Sequence, residues 1–390
     1  MFIRDPNAPT PKGFALFNLG FRAFFFGASL WAVLAMLLWG LAFTALIPAS
    51  VASVSWHGHE MLFGYAQAVV AGFLLTAARN WSGVRTPQGW ALGGLFALWL
   101  IPRVFLPWAS SAMLPWLALA DVVFDLFLAA ILALTLWRNR ANLFIFPPLL
   151  LLVALANAAW WLATLGLWSQ GHVFGLVLGQ GALLGIVLIM GVRVAPFFIE
   201  KRLNVSITAR VPVWVYRSGA ALYGLLVVAE LLGAPWLQAV MAAALAALSA
   251  WVLWRWYAPG LWREPLLWIL WLAGGWLVLG LVLKALGDPG GVARHALLVG
   301  GVGLASLGMM ARVSLGHCGY VVYPAPRGSV LAFVLLLMAA LLRVVPPLFS
   351  PAALAWAVPL SALLWVLAFA LFLVVYAPML WRPRVDGKPG

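Results

Sequence analysis

Long apolar runs follow one another from near residue 22 to residue 380, each stopped by Pro, Gly or a basic residue. A helix needs about 20 apolar residues to cross a bilayer, and the runs reach that length again and again. In lipid every backbone N–H and C=O must be satisfied internally, so only helices and closed barrels can span. The runs are much longer than a barrel strand and do not alternate apolar with polar, which excludes a barrel. The chain is therefore expected to be all-α, a polytopic membrane helical bundle. Twelve spans are expected, near 22–46, 60–78, 89–107, 113–137, 144–165, 172–196, 212–232, 235–256, 265–286, 293–314, 329–348 and 353–380. Pro346, Pro347, Pro351 and Pro359 interrupt the last two.

Charge sets the orientation. Only 8% of residues are charged against 66% hydrophobic, whereas a soluble domain carries about a quarter charged residues. The net charge of +14 does not mark a nucleic-acid binder, because the charges stand singly between apolar runs. With the N-terminus inside, 19 of the 23 Lys and Arg, Arg4, Lys12 and Lys388 among them, fall on the cytoplasmic side and 4 outside. Cytoplasmic loops carry such an excess, so both termini are expected in the cytoplasm. The first 14 residues are polar, and no signal-peptide cleavage site follows them. The polar stretch 199–210 suggests one transmembrane domain, 1–390, of two six-span halves, about 22–196 and 212–380, joined by a cytoplasmic loop at 197–211. The single cysteine, Cys318, excludes an intrachain disulfide.

Ionisable residues inside a membrane usually mark function. Four of the five histidines, His57, His59, His172 and His295, fall at the outer ends of inward-running spans, and His317 follows span ten on the inner side. Imidazole without a carboxylate cage suits haem iron or copper, so haem b is the expected cofactor, with copper as a second metal. A haem is expected between one histidine of span two, His59 before His57, and His295. His57 with His172 is expected to make a copper-type site. Met61, four residues after His57, is a candidate thioether ligand, and Glu60 a carboxylate that orients an imidazole. His317 is expected either to hold a haem with an open sixth position or to be structural. The outer cations Arg294, Arg103, Arg343 and Lys284 are candidate anchors for haem propionates. Asp121 and Asp125, one turn apart in span four, are a proton-relay pair or the partners of an Arg. Glycines at 175, 179, 181, 185, 300, 301, 303 and 308 point to close helix packing.

Several stretches resemble the NnrS family: Trp56-His57-Gly58-His59-Glu60-Met61-Leu62-Phe63-Gly64, Ala71-Gly72-Phe73-Leu74-Leu75-Thr76, His295-Ala296-Leu297, Arg312-Val313-Ser314-Leu315-Gly316-His317 and Tyr376-Ala377-Pro378. The similarity runs in order from about residue 15 to the C-terminus. It implies a haem- and copper-containing bacterial inner-membrane protein associated with nitric oxide metabolism and nitrosative stress. Two positions depart from the pattern: Cys318-Gly319-Tyr320 replaces Thr-Gly-Arg, and Trp271 stands where the family tends to have His. The arrangement of histidines on spans two, six and ten is also similar to the catalytic subunit of haem–copper oxidases and nitric oxide reductases. The expected partners are the lipid bilayer, nitric oxide or another small molecule, and an electron donor, but no nucleic acid. Rival functions are transport of a small metal complex or metabolite, and a haem-dependent assembly or sensor role.

Overall fold

The computed structural model describes residues 13–387; Arg4, Lys12 and Lys388 lie outside them. Every expected span is a helix. In chain order the helices are α1 (Gly20–Phe43), α2 (Val54–Ser82), α3 (Trp90–Trp108), α4 (Leu114–Thr135), α5 (Arg140–Thr164), α6 (Gly171–Leu203), α7 (Val213–Leu231), α8 (Pro235–Arg255), α9 (Pro265–Ala285), α10 (Ala293–His317), α11 (Arg327–Phe349) and α12 (Pro351–Trp381). Among the described residues, 11 of these are long and apolar enough to cross a membrane. The other is α7, whose 19 residues include Arg217 and Glu230, which lower its mean hydropathy. Large apolar side chains remain exposed along the helices, among them Leu34, Leu37, Leu119, Phe127, Leu151, Leu155 and Val374. An apolar surface of that extent on a monomer marks contact with something other than water, here lipid.

Two boundaries differ most from expectation: α2 begins at Val54 rather than near residue 60, and α6 runs past residue 196. The stretch 199–203, read as loop, continues α6 to Leu203, so that helix has 33 residues. Glu200, Lys201 and Arg202 are good helix formers, and long cationic side chains at a helix end reach the headgroup level while the backbone stays helical. Pro196 lies inside the helix, as prolines do in membrane helices. Pro346 and Pro347 likewise lie inside α11.

The helices gather into two compact units. One holds the described residues of Met1–Ile186, Met310–Tyr323 and Phe369–Gly390; the other holds Val187–Met309 and Pro324–Ala368. The division falls within α6 rather than in the connection after it.

Small residues set the packing inside each unit. In the first, a Cβ on Gly27 would lie 2.6 Å from Phe96 and 2.8 Å from Trp99, and one on Gly175 would lie 2.5 Å from the Ala156 carbonyl oxygen. In the second, Gly300 faces Trp276, and a Cβ on Gly308 would meet Ile269 at 2.8 Å. Van der Waals contact, not a hydrophobic drive, holds helices together in lipid, so such approaches carry the association.

Two helices change their winding. Within α2 the segment Glu60–Ala66 is π-helical, and the Gln67 N–H donates to the Leu62 carbonyl five residues back. Within α10 the segment Ala296–Gly303 is π-helical as well. One begins immediately after His59 and the other immediately after His295. π-segments are rare and concentrate at functional sites. Glycine at 64, 300, 301 and 303 lets these segments approach Trp31, Trp276, Leu277 and Trp365 of neighbouring helices.

Candidate functional site

Ser53 caps α2 by accepting the Trp56 N–H at 3.2 Å, so His57 and His59 both lie within the helix. Residues two apart on a helix point about 200° apart, and the two rings diverge accordingly. The His57 ring is half-buried and stacks on Trp39 at 4.5 Å and 16°. His59 is fully buried and opens onto a polar cluster inside the bundle.

Four helices of the first unit build that cluster. His59 Nδ1 lies 2.8 Å from Glu60 Oε1. His59 Nε2 lies 3.0 Å from Asn157 Oδ1 and 3.4 Å from Asp121 Oδ2. Glu60 Oε2 accepts from Trp31 Nε1 at 2.8 Å and faces Arg103 Nε at 3.3 Å. Arg103 is ion-paired with Asp121, and the second oxygen of Asp121 accepts from Trp161 Nε1 at 3.0 Å. Asp125, one turn on, accepts from Gln67 and from Asn157 Nδ2, the latter at 2.8 Å. His59, Glu60, Gln67, Arg103, Asp121, Asp125 and Asn157 are all at most 1% exposed. Charges so deeply placed persist only when paired and hydrogen-bonded.

The donor pattern fixes what His59 can do. Asn157 gives its amide N–H to Asp125, so its carbonyl oxygen is the atom facing His59. Glu60 and Asp121 are carboxylates and only accept. Both ring nitrogens of His59 therefore donate, and the ring has no lone pair left for a metal. The arrangement fits an imidazolium within a charge network. Glu60 does orient an imidazole, as expected for a carboxylate beside a functional histidine.

The outer cations sort into two kinds. Arg103 is taken up by Asp121 and Glu60, and Lys284 pairs with Glu230 at 2.9 Å. Among the described residues, neither Arg294 nor Arg343 forms an ion pair. Arg294 is exposed, next to the half-buried His295. Asp288 Oδ1 accepts the Ala293 N–H at 2.7 Å and so fixes the turn that carries them. Arg343, on α11, is half-buried, and its Nη1 is buried without an acceptor. α11 packs against the Ala293–His295 turn. A histidine, an unpaired buried cation and an exposed cation thus belong to one unit and two packed elements.

The remaining candidates stand apart from these groups. His172 Nε2 is 3.0 Å from Thr164 Oγ1, and its ring lies 5.2 Å from that of Trp160, which itself is 3.9 Å from the His59 ring. His57 and His172 thus keep different company. Met61 is half-buried. His317 sits with its ring 5.5 Å from Phe21, and its carbonyl accepts from Arg384 at 3.0 Å. Among the described residues, no three His, Cys, Asp or Glu side chains gather as a metal-holding group.

Cys318 is fully buried and donates to the Met379 carbonyl at 3.3 Å. Burial pushes its thiol up to about 11, and the thiolate is both the metal ligand and the nucleophile. Maleimide at pH 7 should therefore leave the folded protein unlabelled and modify one site per chain after denaturation, as intact mass will show.

Sequence reasoning missed Trp31, Gln67, Asn157 and Trp161. The available signal was a lone amide in an otherwise apolar span: Asn157 within LLVALANAAWW and Gln67 within GYAQAVVAG.

Comparison with known proteins bears on identity. Among curated proteins no relative matches the chain. The family model described as NnrS protein matches residues 15–384. The matched region includes both histidine-initiated π-segments and every member of the buried cluster, and the chain belongs to the NnrS family.

Proposed function

We propose that the protein binds haem in the bacterial cytoplasmic membrane and binds or turns over nitric oxide there, with electrons supplied by a membrane donor. The observation that carries this reading is the Arg343 Nη1, buried without an acceptor on the helix that packs against the turn of His295. A buried N–H without an acceptor costs about 1–3 kcal/mol, and a haem propionate is an acceptor of the right charge. His295 would hold the iron, and Arg343 and Arg294 the propionates. Bound haem would supply a redox-active iron with a position open to a diatomic gas.

The cluster at His59 handles protons in this reading. Arg103 and an imidazolium His59 give two positive charges against the three carboxylates of Glu60, Asp121 and Asp125. A low-dielectric interior does not tolerate a net charge, so the cluster balances when it holds one further proton. Asp125 is cradled by two amides, which accommodate either protonation state, and it is the carrier of that proton. Buried acids and histidines in this arrangement are typical of intramembrane proton relays.

The test is the absorption spectrum of protein purified from membranes. The expected result is a Soret band that shifts on reduction and again on adding nitric oxide. A band that shifts on reduction and ignores nitric oxide would assign haem without this substrate. Absence of a band would favour the transporter reading, with the carboxylate cluster as its coupling site.

A further inference from the structure

Arg22 stands in the first turn of α1 and is fully buried. Its Nη1 donates to the carbonyls of Met379 (3.0 Å), Leu380 (3.1 Å) and Arg382 (2.7 Å), where α12 ends. A helix C-terminus leaves such carbonyls without intrahelical partners, so one nitrogen accounts for the structural role of this residue. The other two do not share it: Nε and Nη2 are buried without an acceptor. Among the described residues no carboxylate pairs with Arg22, and Asp386 is engaged by Arg384 at 2.6 Å.

A second unsatisfied group stands near the end of α10. Ser314, on α10, is fully buried and its Oγ has no partner. It shares a helix face with His317 and Cys318, three and four residues on. Cys318 donates to the same Met379 carbonyl that Arg22 uses. The His317 ring packs on Phe21, over which the Arg22 guanidinium also lies at 5.3 Å. Arg384 holds the His317 carbonyl. The end of α10 therefore meets the same α12 terminus and the same Phe21 ring that Arg22 uses. Among the described residues the one acid paired in this group, Asp386, is taken by Arg384 and not by Arg22.

We propose that Arg22 and Ser314 form a phosphate-binding site at this end of the first unit. Two parallel N–H groups of a guanidinium match a pair of phosphate oxygens, and the Ser314 hydroxyl supplies a third donor. The phosphate is either free or carried on a lipid headgroup.

The experiment uses the full-length protein in a phosphate-free, delipidated detergent solution. Inorganic phosphate and a short-chain phosphatidylglycerol are titrated separately, and the thermal unfolding midpoint is read. At least one probe should raise the midpoint saturably. A response to inorganic phosphate identifies a free oxyanion, and a response to the lipid alone identifies a headgroup. Ser314→Ala should weaken the apparent affinity about tenfold without lowering the midpoint in the absence of probe, since it removes a hydroxyl that had no partner. Arg22→Lys keeps a donor for the α12 carbonyls but loses Nε and Nη2, and should abolish the saturable shift; if this variant does not fold, Ser314→Ala decides alone. Equal shifts in wild type and variants, or no shift with either probe, would overturn the proposal.

Discussion

Arg103→Met is expected to destabilise the protein by about 3–5 kcal/mol, the range seen when one partner of a buried ion pair is removed. Arg103 is fully buried, pairs with Asp121 and faces Glu60 Oε2 at 3.3 Å. Methionine fills much of the same volume, so the loss would come from charge and not from a cavity. The substitution strands two carboxylates that water cannot reach. Adding Asp121→Asn to Arg103→Met should therefore recover part of the loss, a non-additivity expected of residues in one network. Denaturant unfolding in mild detergent, followed by far-UV circular dichroism, measures Arg103→Met, Asp121→Asn and the double variant. A surface role for Arg103 at the headgroups would give less than about 1 kcal/mol, the usual scale for exposed pairs.

Gly64→Ala is the second large effect. A Cβ there would lie 2.6 Å from Trp31 Nε1 and 2.7 Å from Glu60 Oε2. Those atoms hydrogen-bond to each other at 2.8 Å, so the methyl group would wedge the bond apart within the π-segment. Overpacking costs about 1–3 kcal/mol, and the separated Trp31–Glu60 pair adds about 1–3 kcal/mol for the group left unsatisfied. Gly93→Ala on α3 is the matched control. A Cβ there meets nothing within 4 Å, and alanine gains up to about 1 kcal/mol over glycine in a helix. Unfolding midpoints should fall for the first substitution and hold or rise for the second.

What the sequence makes legible follows from its strongest periodicities. Span positions come from apolar runs bounded by Pro, Gly and charge, and all appear as helices. The divergence of His57 and His59 also follows from helical geometry alone. The limit comes where a charge has two homes. Arg103 is read from the sequence as a candidate anchor for a haem propionate because counting charges assigns a side of the membrane and not a partner. Its companions Asp121 and Glu60 lie 18 and 43 residues away along the chain, and only packing brings them together. Lys284 was misplaced for the same reason, since Glu230 takes it. Residues 199–203 read as loop because they are polar, yet snorkelling side chains let a polar helix end persist. The π-segments leave no periodic trace: an added residue per turn shifts register by an amount that short apolar runs conceal. His59 was favoured over His57 as an iron ligand on spacing from Met61, a reason that contains nothing about Asn157, 98 residues on.

The haem assignment meets its most direct test in the haem-to-protein ratio of purified wild type, His295→Ala and Arg343→Met. The account predicts that wild type carries haem, that His295→Ala loses the Soret band, and that Arg343→Met retains less haem on washing. It also predicts that the haem-free Arg343→Met protein unfolds no earlier than haem-free wild type, because an unsatisfied buried cation has been removed. Wild-type haem content in both variants would contradict the account, and iron would then have to be held away from His295.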